Sequence, residues 1–169
     1  MLTVLTCGAT FSPGVSSQTT SGWRSFAPPQ NPLEKQTLQL LNLDRADPKY
    51  VSETRGRAQP LQWDDRLAEA ARAHSQEMMR NRYFSHTGFD GASPAQRISA
   101  TGVRWTSYGE NIAACQTVTQ AETEFMDEPR FERNHRWNIL NSGYNRVGIG
   151  IATAPDGTIY ITEDFAQSY

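Results

Sequence analysis

Three histidines are spread along a chain of 169 residues, at positions 74, 86 and 135. His86 ends the run Tyr83-Phe84-Ser85-His86 and is followed by small, turn-forming residues, Thr87-Gly88-Phe89-Asp90-Gly91. His135 follows Asn134 in NHRWNIL. A neutral imidazole can ligate a divalent transition metal, and a carboxylate can either join the shell or orient the ring through its other N–H. Ionised carboxylates also favour the protonated ring, so metal and proton compete and a bound ion leaves as pH falls through roughly 6. His–Glu pairs are equally used as structure, with Glu110 fixing a turn around Gly109 and His135 capping a helix. Nucleophilic catalysis has little support. Ser85 adjoins His86, but neighbours in a loop rarely face each other, and neither HExxH nor GxSxG is present.

The third histidine has a different setting. In LQWDDRLAEAARAHSQEMMRN, Leu67, Ala71, His74 and Met78 recur at i, i+4, i+7 and i+11, which makes His74 a hydrogen-bonded core residue on one helix face. Asp64 is a suitable cap for that helix. An earlier helix starts at Asn31-Pro32, carries Leu33, Leu38 and Leu41, and stops at Asp47-Pro48. The polar stretch PKYVSETRGRAQP then reads as a surface loop. Ser93, Pro94 and Gln96 form a capping box closed by Gly102, and Thr119 with Glu122 suggests a second box on a helix ended by Pro129, with Ala121 and Phe125 inward. FERNHRWNILN supplies one or two more helical turns. Two alternating β-branched runs flank Ala154-Pro155-Asp156-Gly157, a hairpin signal. Helices first and most strands last predict an α+β fold with an antiparallel sheet.

The length fits one domain, and 37% apolar residues supply a core. A net charge of −2 and scattered arginines, 14 of the 16 basic residues, give no basic stripe, so nucleic acid is not an expected partner. Two cysteines, Cys7 and Cys115, form no disulfide framework or zinc array, and Cys115 reads as a small core residue. Residues 1–11 read as a truncated signal or leader, with an apolar run from Leu2 to Leu5, no basic residue before it and too little length to span a membrane. Lipidation at Cys7 is a weaker alternative, since Val4-Leu5-Thr6 lacks the small residues such sites favour. Residues 12–32, rich in Ser, Thr, Pro and Gly, read as a flexible tether to a domain at 33–169.

Five segments now matter together. LQWDDRLAEAARAHSQEM, YFSH, YGENIA, NHRWNIL and VGIGIA…IYITEDF occur in the order that resembles the CAP superfamily, the cysteine-rich secretory, antigen-five and pathogenesis-related proteins. The likeness is greatest to the bacterial secreted branch and covers roughly Leu33 to Tyr169. It implies a three-layer α/β/α sandwich with a mainly antiparallel central sheet and an open cleft lined by two histidines and two acids. Mapped onto this chain, these are His86, Glu110 and His135, with Glu128 as the second acid. The family places that acid three residues after an aromatic, here Phe125, on the helix before the second histidine, and Asp127 is the competing choice. Metal binding, for example Zn²⁺ on His86 and His135 with Glu110 and Glu128 close by, is implied by the same likeness. The animal relatives are disulfide-rich and this body has one cysteine, so functions that need appended cysteine-rich modules are excluded.

Three classes of function remain open. One is a metal-assisted hydrolase, protease-like, with Glu110 or Glu128 as general base. Another is a binding module for a small molecule, a lipid or sterol, or an envelope component. Aromatics able to line a groove, Tyr83, Phe84, Phe89, Trp105 and Tyr108, are individually better read as core. The last is a surface domain whose four cleft residues are purely structural. The expectation is an exported binding module with a metal-capable cleft and no assigned reaction, outside the membrane and without a transmembrane span.

Overall fold

The computed structural model describes residues 31–168 together with the backbone of residues 2–6. Strand β1 (Leu2–Thr6) comes first, then helix α1 (Pro32–Ala46), a 3-10 turn (Pro48–Tyr50) and helix α2 (Val51–Thr54). Strand β2 (Gln62–Trp63), helix α3 (Asp65–Asn81), helix α4 (Pro94–Ala100) and strand β3 (Trp105–Cys115) follow. Helices α5 (Val118–Met126) and α6 (His135–Leu140) lead to the hairpin of β4 (Arg146–Thr153) and β5 (Ile159–Ser168). Of the leader and tether expected over 1–32, residues 7–30, Cys7 included, lie outside the described residues.

One five-stranded sheet has the order β1-β3-β5-β4-β2. Its centre, β3-β5-β4, is antiparallel, and the short outer strands β1 and β2 add in parallel. Alternation along the strands defines the layers. Ala113, Cys115, Val147, Ile149, Ile161 and Phe165 turn to one side, into a core shared with Leu41 of α1, Phe125 of α5 and Ile139 of α6. Ile112, Ala114, Tyr160 and Ala166 turn to the other, against Met78 and Leu67 of α3 and Ile98 of α4. The fold is therefore an α+β, three-layer α/β/α sandwich. On β4, Gly148 and Gly150 let the α3 backbone approach: a Cβ on Gly150 would lie 2.1 Å from the carbonyl carbon of Ala71.

The helix starts obey their capping chemistry. Asn31 accepts from the Leu33 N–H, Asp64 from those of Arg66 and Leu67, and Ser93 with Gln96 closes a full capping box. Three local expectations change. Helix α5 is capped by Thr117, which accepts from the Gln120 N–H, rather than by Thr119. Starting there puts Val118 into the helix and the core, and turns Glu122 inward instead of toward a cap. The stretch after Asp47 is not a plain loop, because buried Tyr50, under the Arg136 guanidinium, anchors a 3-10 turn and α2. On α1 the inner face is Glu34, Thr37, Leu41 and Arg45, more polar than its leucines suggest. Two of these are satisfied by strong partners: Glu34 holds Arg72 through two bonds of 2.9 and 2.6 Å. Arg45 donates to the carbonyls of Gln59, Ile139, Asn141 and Tyr144.

Candidate functional site

Helix α3 ends at Arg82, which takes the left-handed conformation (φ 54°), and the chain turns back toward the sheet. Glu77 ties this turn by accepting from the Tyr83 hydroxyl and the Phe89 N–H. His86 follows, almost fully buried, with Nδ1 2.6 Å from Glu110 Oε1. The second Glu110 oxygen takes a 2.6 Å ion pair from Arg97 of α4. Arg97 also donates to the backbone oxygens of His86 and Ala92, so one guanidinium fixes both the loop and the carboxylate. Glu110 lies inside β3 rather than in a turn. Its neighbour Gly109 is needed for close approach, since a Cβ there would meet Asn138 Oδ1 at 2.6 Å.

The second pair lies on the opposite face of β3. Glu128 sits just past the C-terminus of α5, not on the helix, and its Oε1 is 2.6 Å from His135 Nδ1. Its Oε2 accepts from the His135 N–H at 2.8 Å, at the N-terminus of α6, where a carboxylate is favoured by the helix dipole. Asp127, the competing choice, is exposed at the C-cap of α5. The His135 ring stacks on Phe125 at 4.4 Å between centroids. Helix α6 is held from three sides. Asn138 donates to Glu110 O at 3.3 Å and to Asn111 Oδ1 at 2.8 Å; Arg136 forks onto Glu53; Arg45 takes its last carbonyls. The four residues thus form two pairs, approaching β3 from opposite faces and tied together through Asn138.

Both glutamates are ionised. Burial pushes Glu110 up, but the His86 hydrogen bond and the Arg97 charge outweigh it and leave the carboxyl below its ordinary value. Burial raises Glu128 as well, and its hydrogen bond and charge contact with His135 again bring it below the usual range. In a neutral ring such an acceptor favours the proton on Nδ1 and leaves the lone pair on Nε2. Among the described residues no three His, Cys, Asp or Glu side chains gather as a complete metal shell. The two carboxylates hold the rings through Nδ1.

His74 stands apart from both pairs. It is fully buried on α3, its Nε2 bonds Ser85 O at 2.9 Å, and burial lowers its pKa. Of the groove aromatics, Tyr83, Phe84, Trp105 and Tyr108 pack partly buried against the core, while Phe89 is exposed. Sequence reasoning overlooked Arg97, Asn138 and two acids of β5. Glu163 is buried beside Asn111 and near Glu122, and burial pushes it up to about 8. Asp164 is buried opposite Glu110 and is held well above its ordinary value by burial and by the Glu110 charge. A usable signal existed, because a strand sandwiched between helices buries both faces, and Thr162-Glu163-Asp164 sits inside such a strand.

The three-layer sandwich is shared with solved SCP-domain proteins. The chain belongs to the cysteine-rich secretory protein family, whose sequence profile matches residues 38–165. It is 32% identical over 117 residues to the uncharacterized protein YkwD and 32% identical over 140 residues to the uncharacterized membrane protein YlbC, both of Bacillus subtilis. It spans only 41% and 36% of those relatives' lengths. Among solved structures, an extracellular SCP-domain protein of Bacillus anthracis superposes with a TM-score of 0.65 at 26% identity, over 86% of this chain and 45% of that one. An outer surface protein of Borrelia burgdorferi shares the fold, with a TM-score of 0.63 at 19% identity over 80% and 95% of the two chains. No helix among the described residues is long and apolar enough to cross a membrane.

Proposed function

We propose that this chain is an exported binding module whose two oriented histidines take a divalent ion such as Zn²⁺ at modest affinity. The observation that supports it is the pair of 2.6 Å contacts between imidazole Nδ1 atoms and ionised carboxylates, the usual outer-shell support of a metal-binding histidine. For this, His86 and His135 would have to bring their rings to one ion around the edge of β3, with Glu110 and Glu128 orienting the rings and water filling the other positions. Bound there, the ion would supply a Lewis-acidic centre for a ligand's oxygen. Export is supported by the likeness to an extracellular SCP-domain protein of Bacillus anthracis.

Binding is favoured over hydrolysis because both carboxylates are already committed to holding histidines. Zinc calorimetry at near-neutral pH on the wild type, His86→Ala, His135→Ala and His74→Ala tests the proposal. Loss of binding in the first two variants, with binding kept in His74→Ala, is expected. Equal binding by the wild type and His86→Ala would refute it.

A further inference from the structure

Strand β3 presents one edge to β5 along nearly its whole length. On its other edge, among the described residues, β1 pairs with it over Glu110–Ala114: Leu2 lies in register with Glu110 and Thr6 with Ala114. An uncovered strand edge is a row of N–H and C=O groups that accepts any extended chain of suitable side chains. Both flanks of this edge are apolar. Ile112 and Ala114 belong to the cluster that includes Tyr83 and Phe84, and Ala113 to the one that includes Phe125. A strand added here alternates its side chains between those two flanks, so apolar and β-branched residues suit it. Leu2-Thr3-Val4-Leu5-Thr6 has that composition.

The register adds a second fact. Residue 110 is the carboxylate that orients His86, and the His135–Glu128 pair reaches the same stretch of β3 from the opposite face. The added strand therefore begins where the two histidine pairs straddle the sheet, with its N-terminal end toward them.

We propose that the outer edge of β3 is a peptide-binding site for an extended apolar segment, taken up as a parallel strand, and that Leu2–Thr6 is its resident and displaceable occupant. Main-chain hydrogen bonds supply affinity, the two apolar flanks supply side-chain preference, and the histidine pairs mark the N-terminal end of the bound segment. The ligand class goes beyond the metal reading and does not depend on it. A segment joined through the 24 residues between Thr6 and Asn31 competes at an effective concentration on the order of 1 mM, so a free peptide competes poorly until the resident strand is disabled.

Hydrogen exchange read by NMR on the full chain, without zinc, tests this. In the wild type, those amides of Glu110–Ala114 that point away from β5 are expected to be protected. In a Thr3→Pro/Val4→Pro double variant, which cannot complete the ladder, they should exchange at least about tenfold faster. The β5-facing amides should stay protected in both proteins, which shows that the variant is folded. Adding the end-blocked pentapeptide Leu-Thr-Val-Leu-Thr at millimolar concentration to the variant should restore the lost protection. The same peptide with proline at its second and third positions should not. Unchanged exchange in the proline variant, or no restoration by the pentapeptide, overturns the proposal. The exchange is read without zinc, so failure of the metal reading is seen separately, in the zinc calorimetry.

Discussion

Glu110 of β3 and Asp164 of β5 are register partners in adjacent antiparallel strands, and both are fully buried. Glu110 keeps its charge because His86 and Arg97 hold it, so Asp164 is held neutral beside it. Protonated, Asp164 becomes a donor toward the Glu110 carboxylate. A folded-state pKa above the unfolded one means that the folded protein binds a proton the unfolded chain releases. The associated stability is complete below the ordinary value of 3.8 and is lost as pH rises toward the folded pKa.

Asp164→Asn keeps the donor and removes the titration. The variant should gain on the wild type as pH rises from about 5 to about 9, by on the order of 1 kcal/mol or more. Glu163→Gln should show the same sign over the window from 4.5 to about 8. Paired urea melts at both pH values measure the trend. Parallel loss of stability at every pH would mean that both acids are ionised in the fold.

Arg97 carries the charge that lets Glu110 be buried. Arg97→Ala should cost roughly 3–5 kcal/mol near neutral pH by leaving a buried carboxylate short of its cation. Glu110 has a depressed pKa, so its contribution is present above the ordinary 4.5 and is lost as pH falls through the folded value. The penalty for Arg97→Ala should shrink accordingly in acid. Denaturant melts near neutrality and in acid, compared with Arg97→Lys, check both points; a penalty independent of pH would show that packing rather than charge is lost.

His74 is a core residue. His74→Ala should lower stability by roughly 2–4 kcal/mol through the cavity it leaves. Burial lowers the His74 pKa, so the stability it contributes is present above the ordinary 6.5 and is lost as pH falls below it. His74→Ala should therefore flatten part of the wild type's acid sensitivity, which thermal melts across that range would detect.

Gly150 marks the closest contact between α3 and the sheet. Gly150→Ala should destabilise by about 3 kcal/mol, because the helix backbone must move away. A melt indistinguishable from the wild type would mean that α3 can shift without loss.

Much of this architecture was legible from local rules. Capping residues at Asn31, Asp64 and Ser93, the stripe through His74 and the Asp156-Gly157 hairpin each carry their own chemistry. The two His–Glu pairs were legible only through ordered likeness, since nothing in the spacing of Glu110 and His135 says that they reach one strand from opposite faces. Arg97 was hidden because an arginine on a short helix looks solvated until the loop it clamps is folded. The acids of β5 were hidden because reading that strand as one member of a hairpin leaves one face wet, whereas helices cover both. Strand β1 was hidden for a related reason. Five apolar and β-branched residues at the head of a chain read equally well as a leader, and only the open edge of β3 gives them a partner.

His86 and His135, each held through Nδ1, are proposed to offer Nε2 jointly to one ion. Long-range proton–nitrogen NMR of the side chains, followed through a zinc titration, measures this directly. Before zinc, His86 and His135 should show the proton on Nδ1, while His74, which donates from Nε2 to Ser85, should show the other tautomer. Zinc should then shift the Nε2 resonances of His86 and His135 together, with a common midpoint, and leave His74 unmoved. Separate midpoints for the two rings, or no shift in either, would contradict the account.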